Sequence, residues 1–176
     1  VFTYPAEFML VGSMNPCPCG FFGWEEDRTC TCTPRQVHRY RSKISGPLLD
    51  RIDIHVEVPR VDFKTLTSSN PAEGSAAIRE RVNRARRIQE ERFKGRTTQT
   101  NSGMSPSDIR RYCALDASTR RLLRAAFDSL GLSARAHDRI LKVARTIADL
   151  AGEERIREDH MAEAIQYRVL DRKFWE

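Results

Sequence analysis

Two pairs of cysteines, Cys17-Pro18-Cys19 and Cys30-Thr31-Cys32, stand ten residues apart near the start of the chain. Nothing else in the sequence constrains the fold as tightly. The residues between the pairs, among them Gly20, Gly23, Glu25, Glu26 and Asp27, are too few and too polar to bury a core, so the loop must be held through its cysteines. Four thiolates in two close pairs can close a tetrahedral zinc site. Such a site would be structural, because it leaves no open position for water. The spacing is C-x-C rather than the commoner C-x-x-C, and the alternatives are two reduced pairs or disulfides. The chain shows no secretory pattern, and thiols inside cells normally stay reduced, which favours zinc on Cys17, Cys19, Cys30 and Cys32. Cys113 lies far away in a helical context and reads as a buried apolar residue.

The cysteines follow an unbroken apolar run, Phe8-Met9-Leu10-Val11, ended by Gly12-Ser13-Met14-Asn15-Pro16. A short run of this kind between turn residues predicts a strand covered on both faces, as in a parallel sheet. Asn15 would then stand where the strand leaves the sheet, in the crevice where open α/β sheets bind ligands. Its carboxamide would be placed to orient a water or a phosphate oxygen. The plainer reading is that Asn15 caps a turn.

At 176 residues the chain has room for one domain or two small ones. It has no apolar run long enough to span a membrane and no signal-peptide pattern, so a cytoplasmic, membrane-free protein is expected. The net charge of +6 is uneven: residues 60–100 carry ten basic against five acidic side chains, whereas residues 1–34 carry one against four. That asymmetry fits either a nucleic-acid-facing surface or solvated helical faces rich in arginine.

Thr33-Pro34 opens a basic helix running to Lys43, with Arg35, Arg39 and Arg41 on it and a Tyr40 that either packs or stacks on a base. Ser45 to Arg51 is a second short helix. It leads into Ile52 to Pro59, where strict alternation predicts a strand near a sheet edge. Arg51 sits at the junction, where it would favour the negative end of the helix or pair with Asp50 or Asp53. Ser68 to Gly74 reads as a linker. Ala76 to Phe93 reads as a long amphipathic helix with Ile78, Val82, Ala85, Ile88 and Phe93 on one face and arginines on the others. After a flexible tract over 94–103 the rest is helical: one helix from Ser105, one over 117–130 stopped by Gly131, one from Ser133 closed by Gly152, and one over 158–168 with Met161, Ala164, Ile165 and Val169 inward. In the helix after Ser133, Ile140, Leu141, Ala144, Ile147, Ala148 and Ala151 form the buried face and Arg135, Arg139, Lys142 and Arg145 the other. Arg135 falls in the first turn, where a cation is mildly unfavourable. Unbonded backbone N–H groups and a guanidinium there suit a phosphate.

The stretches FMLVGSMNPCPCG, the second C-x-C pair, RYRSKISGPLLDRIDIHVEVP, LSARAHDRILKVARTIADLAG and HMAEAIQYR together resemble the C-terminal half of the magnesium-chelatase-like AAA+ ATPases of the ComM/YifB type, over nearly the whole chain. The resemblance implies an α/β plus all-α fold: the C-terminal part of a P-loop AAA+ α/β core over 1–60, with a Cys-rich insert at 16–34, then a helical lid over 61–176. It implies that Asn15 occupies the sensor-1 position, that Arg51 is the arginine finger reaching the neighbouring subunit's nucleotide, and that Arg135 is the sensor-2 arginine of the lid. It implies ATP and Mg²⁺ as cofactors and a homo-oligomeric ring, expected to be a hexamer. The sequence holds no G-x-x-x-x-G-K-[ST] loop and no apolar strand ending in Asp-Glu. With Val1 leading straight into the first apolar segment, the chain is expected to be a fragment that does not hydrolyse ATP alone.

Three functions compete. The first is a ring motor that moves or remodels DNA, suggested by the family's links to DNA uptake and recombination, with phosphate contacts from the basic helices at 35–43 and 79–92. The second is a remodelling subunit acting on a protein or metal-inserting partner, as in the magnesium chelatases. The third is a zinc-stabilised binding module without enzyme activity.

Overall fold

The protein, seen in a computed structural model, is described at residues 2, 8–23, 29–59, 61, 67 and 72–168. It divides into two compact units, Val1–Ser45 and Gly46–Phe174. Glu25 to Asp27, most of the linker and Val169 lie outside the described residues.

In the first unit, α1 (Pro34–Arg41) forms where expected. Thr33 accepts from the Gln36 N–H at 3.3 Å, and the Gln36 side chain accepts from the Thr33 N–H at 2.8 Å, so two orphan donors of the first turn are satisfied reciprocally. Val37 is the buried residue of this helix. Arg41 Nε donates to the Pro16 carbonyl at 3.2 Å, and its guanidinium lies 4.7 Å from the centroid of the Phe22 ring. One arginine thus fastens the helix to the cysteine loop by a hydrogen bond and a cation–π contact.

The second unit is helical: α2 (Gly46–Leu49), α3 (Ser75–Arg92), a 3₁₀ turn (Asn101–Gly103), α4 (Pro106–Tyr112), α5 (Ala117–Leu130), α6 (Ala134–Ala151) and α7 (Glu158–Gln166). Ser105, Asp116 and Ser133 cap the last turns of loop before α4, α5 and α6 through side-chain oxygens, and Gly131 and Gly152 end α5 and α6 at φ of 61° and 74°. Helix α6 is central, packing on α3, the 3₁₀ turn, α4 and α7, while α7 also packs on α5. Its apolar stripe, Ile140, Leu141, Ala144 and Ala148, is buried with Phe93, Met104, Ile109, Leu123, Met161 and Ile165.

Two arginines expected on solvent faces lie inside instead. Asp149 is buried and accepts two hydrogen bonds from Arg92, at 2.6 and 2.5 Å, and one from Arg145 Nε at 3.1 Å. Asn101 closes the network, donating to Asp149 at 2.8 Å and to Thr146 at 3.1 Å and accepting from Arg92 at 2.8 Å. Arg145 also donates to the Glu154 carbonyl at 2.6 Å and to that of Glu153. Burial pushes the Arg145 guanidinium's pKa down, and the carboxylate of Asp149 opposes that push. Periodicity places charged residues outward by default, and it fails here because one buried carboxylate repays two guanidiniums.

Among the described residues there is no strand, so neither 8–11 nor 52–58 forms the expected one. A strand is only half of a ladder. Residues 8–11 lie between 65% and 84% exposed, with no described segment beside them to supply the other half. Over 52–58 the second unit supplies other partners, two of them to backbone groups that a sheet would have used. The His55 N–H donates to the Tyr167 carbonyl at 3.0 Å, Arg168 donates to the Ile52 carbonyl, and Asp53 pairs with Arg139.

Candidate functional site

Cys17, Cys19, Cys30 and Cys32 converge, with their four sulfurs all within 4.8 Å of one another. Cys17 to Cys19 is 3.3 Å, Cys19 to Cys30 3.5 Å and Cys17 to Cys30 3.7 Å. All are free thiols, which sets aside the disulfide alternative in this structure. A zinc ion with Zn–S bonds of about 2.3 Å would put its sulfurs at tetrahedral edges of about 3.8 Å, close to the spacing found. The four residues therefore fit a metal of that size and softness.

The local backbone explains the convergence. The Gly20 N–H closes a turn onto the Cys17 carbonyl at 3.1 Å, and Gly20 itself has φ +85°, a conformation that glycine takes without a Cβ penalty. Beyond this turn the amides point at sulfur. The Phe21 amide is the main cause that lowers the Cys19 pKa to about 5, with the Thr31 amide adding to it. Burial and the Cys19 thiol push Cys17 up, but the amides of Phe22 and Gly20 and the Cys30 thiol outweigh them, and its pKa ends below the ordinary value. The Cys32 amide favours a thiolate at Cys30, yet burial and the sulfurs of Cys19 and Cys17 push Cys30 up to about 12. Cys32 is also raised, by burial and the same two sulfurs, against the Cys19 amide. The amide dipoles around Cys17 and Cys19 are thus already arranged to favour anionic sulfur ligands. Cys113 stands apart, buried with its sulfur 3.9 Å from that of Met104, and burial raises its pKa to about 11.

The three side chains singled out for phosphate chemistry are all exposed. Asn15 lies over the cysteine turn, and a Cβ at Gly20 would come within 3.8 Å of its Nδ2. Arg51 follows α2 and folds back to donate to the Pro47 carbonyl at 2.7 Å. Arg135 stands in the first turn of α6 and has no hydrogen-bond or ion-pair partner among the described residues. It is the exception on its helix: Arg139 pairs with Asp53, Lys142 donates to the Ser102 carbonyl at 2.8 Å, and Arg145 is buried on Asp149. The Arg139–Asp53 pair also holds the segment that follows Arg51 against the helix that carries Arg135, a link between distant stretches that no local pattern signals.

A cysteine-pinned loop joined to a basic helix, with a helical unit of six α-helices and a 3₁₀ turn among the described residues, defines the class. The chain belongs to the magnesium-chelatase family of the ComM/YifB type. Residues 72–168 match the family described as "Magnesium chelatase, subunit ChlI C-terminal" and residues 1–66 match "Magnesium chelatase, subunit ChlI". The chain is 42% identical over 170 residues to competence protein ComM of Haemophilus influenzae (strain ATCC 51907 / DSM 11121 / KW20 / Rd), covering 96% of this chain and 32% of that protein. It is 42% identical over 171 residues to YifB of Escherichia coli (strain K12), covering 97% and 32%. It thus spans about a third of the length of these relatives. No helix among the described residues is long and apolar enough to cross a membrane.

Proposed function

We propose that this chain supplies the end of an AAA+ α/β core and a helical lid to an ATP-hydrolysing ring motor, expected to be a cytoplasmic hexamer, that remodels DNA. The observation that carries the reading is Arg135, an exposed guanidinium with no partner among the described residues, on a helix whose other cations are all engaged. In a member of this family it is the sensor-2 candidate. The lid would use it on the nucleotide's phosphates, beside the N–H groups of the first turn of α6.

Phosphoryl transfer spreads charge over the oxygens of the transferred group, so the protein's part is to position cations and the attacking water. Arg51, on the surface after α2, would swing from the Pro47 carbonyl into the neighbouring subunit's site as the arginine finger. Asn15 would hold the attacking water through its carboxamide, which both donates and accepts. ATP and Mg²⁺ come to this reading from the family, the metal supplying charge neutralisation on the phosphates. The sequence contains no phosphate-cradling loop, and the chain alone is expected to hydrolyse no ATP. Zinc on the four cysteines would be structural. The name of the Haemophilus relative, a competence protein, supports a role in handling DNA.

ATP hydrolysis by the full-length protein, with single-stranded, duplex and branched DNA, tests the reading. DNA should stimulate turnover, and Arg51→Ala should cut it by about three powers of ten while leaving nucleotide binding in place. Turnover that survives Arg51→Ala, or measurable hydrolysis by the 176-residue chain alone, would count against it. The family description favours a second reading, a chelatase-type subunit that remodels a protein partner. It predicts turnover that depends on Arg51 and is indifferent to every DNA.

A further inference from the structure

The outward face of α1 carries a charge pattern unlike that of the other basic helix. Arg35 and Arg39 stand four residues apart on the side away from buried Val37, and Lys43 follows in the turn two residues past the end of the helix. All three are exposed, and none of their side chains has a hydrogen-bond or ion-pair partner among the described residues. Solvated basic faces are usually balanced by acids one turn away. Here the sequence holds no acidic residue at all between Asp27 and Asp50.

Helix α3, richer in arginine, behaves in the ordinary way. Arg81 pairs with Glu73 at 2.8 Å, Arg84 lies 3.8 Å from Glu80, and Arg92 is spent on Asp149. Only Arg79, Arg86 and Arg87 remain, among Glu80, Glu90 and Glu91.

The other side of α1 meets the cysteine loop. Arg41 bonds to Pro16, the residue before Cys17, and covers Phe22, whose own amide donates to the Cys17 sulfur. The loop therefore sets the rotation of the helix, and with it the direction in which the three cations point. Four residues of helix rise by about 6 Å, so Arg35 and Arg39 are spaced like successive phosphates along one strand, with Lys43 in the turn that continues from them.

We infer that Arg35, Arg39 and Lys43 contact consecutive phosphates of a DNA strand, and that closure of the cysteine loop by a metal ion holds this face in position. The inference rests on the DNA reading proposed above and assigns it a surface. DNA binding is then a metal-dependent property of the first unit, although the metal touches no phosphate.

Fluorescence anisotropy with a labelled DNA strand, titrated with salt on the zinc-loaded chain, tests this. Replacing all three cations, Arg35→Ala with Arg39→Ala and Lys43→Ala, should weaken binding at least tenfold at low salt. It should also flatten the slope of log affinity against log salt by about two to three. Replacing Arg79, Arg86 and Arg87 on α3 by alanine should cost less. Stripping zinc with a chelator should reproduce most of the first loss in the unaltered chain and add little to the α1 variant. Unchanged affinity and slope in the α1 variant, or binding indifferent to the chelator, overturns the inference while leaving DNA binding itself intact. If the unaltered zinc-loaded protein binds no DNA even at low salt, the DNA reading falls and the inference falls with it.

Discussion

Among single residues, Asp149 bears the most weight. Its two oxygens accept from Arg92, Arg145 and Asn101, joining α3, the 3₁₀ turn and α6 at one buried point. Removing the charge strands two guanidiniums, and breaking a buried pair from one side costs about 3–5 kcal/mol. Asp149→Asn is therefore expected to lower the urea midpoint of unfolding steeply at constant m. A shift within experimental error would mean that water repays the arginines. Asp108 makes a weaker, pH-dependent contribution. The Ser105 hydroxyl and amide, with Arg96 beside them, hold its pKa below the ordinary 3.8. A depressed carboxyl stabilises the fold above its unfolded pKa and loses that contribution as pH falls through the folded one. Asp108→Asn should consequently cost more stability at pH 7 than near pH 3. Equal costs in urea titrations at the two pH values would refute the assignment. Residue-level roles of this kind were only partly legible in the sequence. Arg145 read as a solvent-facing cation although Asp149 stands four residues on, and Asn101, within a tract of Ser, Thr and Gly that reads as flexible, offered no sign that it would be buried between two charges.

Helix boundaries were legible because caps, glycine stops and the 3.6-residue stripe agree with one another. The exception is instructive. Ile78 and Val82 continue the stripe of buried Ala85 and Gln89, yet both are 41% exposed, and every residue from Ser75 to Arg84 is exposed. Periodicity states which face is apolar without stating how far a neighbour reaches, and α3 is longer than the part of α6 it lies on. Without tertiary cover a helix end opens easily. Amides of 78–84 are accordingly expected to exchange with solvent at least tenfold faster than those of 86–92, as amide-resolved hydrogen exchange would read. Uniform protection along α3 would show that the apolar overhang is covered. The cysteine loop was the element most plainly written in the sequence, since two C-x-C pairs allow few other uses. What the sequence did not contain was the contribution of Gly20, whose left-handed turn aims the amides at sulfur.

At the scale of the molecule, the sequence separated helical from sheet-forming stretches correctly in period and missed in outcome. Alternation over 52–58 and the apolar run over 8–11 specify a surface suited to pairing, whereas a sheet also needs partner strands, which no local pattern supplies. The second segment found other partners in Arg139, Arg168 and Tyr167. The first has none among the described residues, and Phe8, Met9, Leu10 and Val11 stay 65–84% exposed. A contiguous, exposed apolar segment with the composition of a strand is a template for pairing with another chain. Single lysines on such a segment oppose pairing, because they cannot be buried without stranding a charge. The 176-residue chain is therefore expected to self-associate as its concentration rises, with Leu10→Lys or Val11→Lys shifting it toward monomer without altering the helical signal of the second unit. Sedimentation velocity across a range of concentrations decides the matter. A chain that remains monomeric throughout, or one whose association ignores both lysines, would place the adhesive surface elsewhere, with the Ile78–Val82 overhang next to be altered.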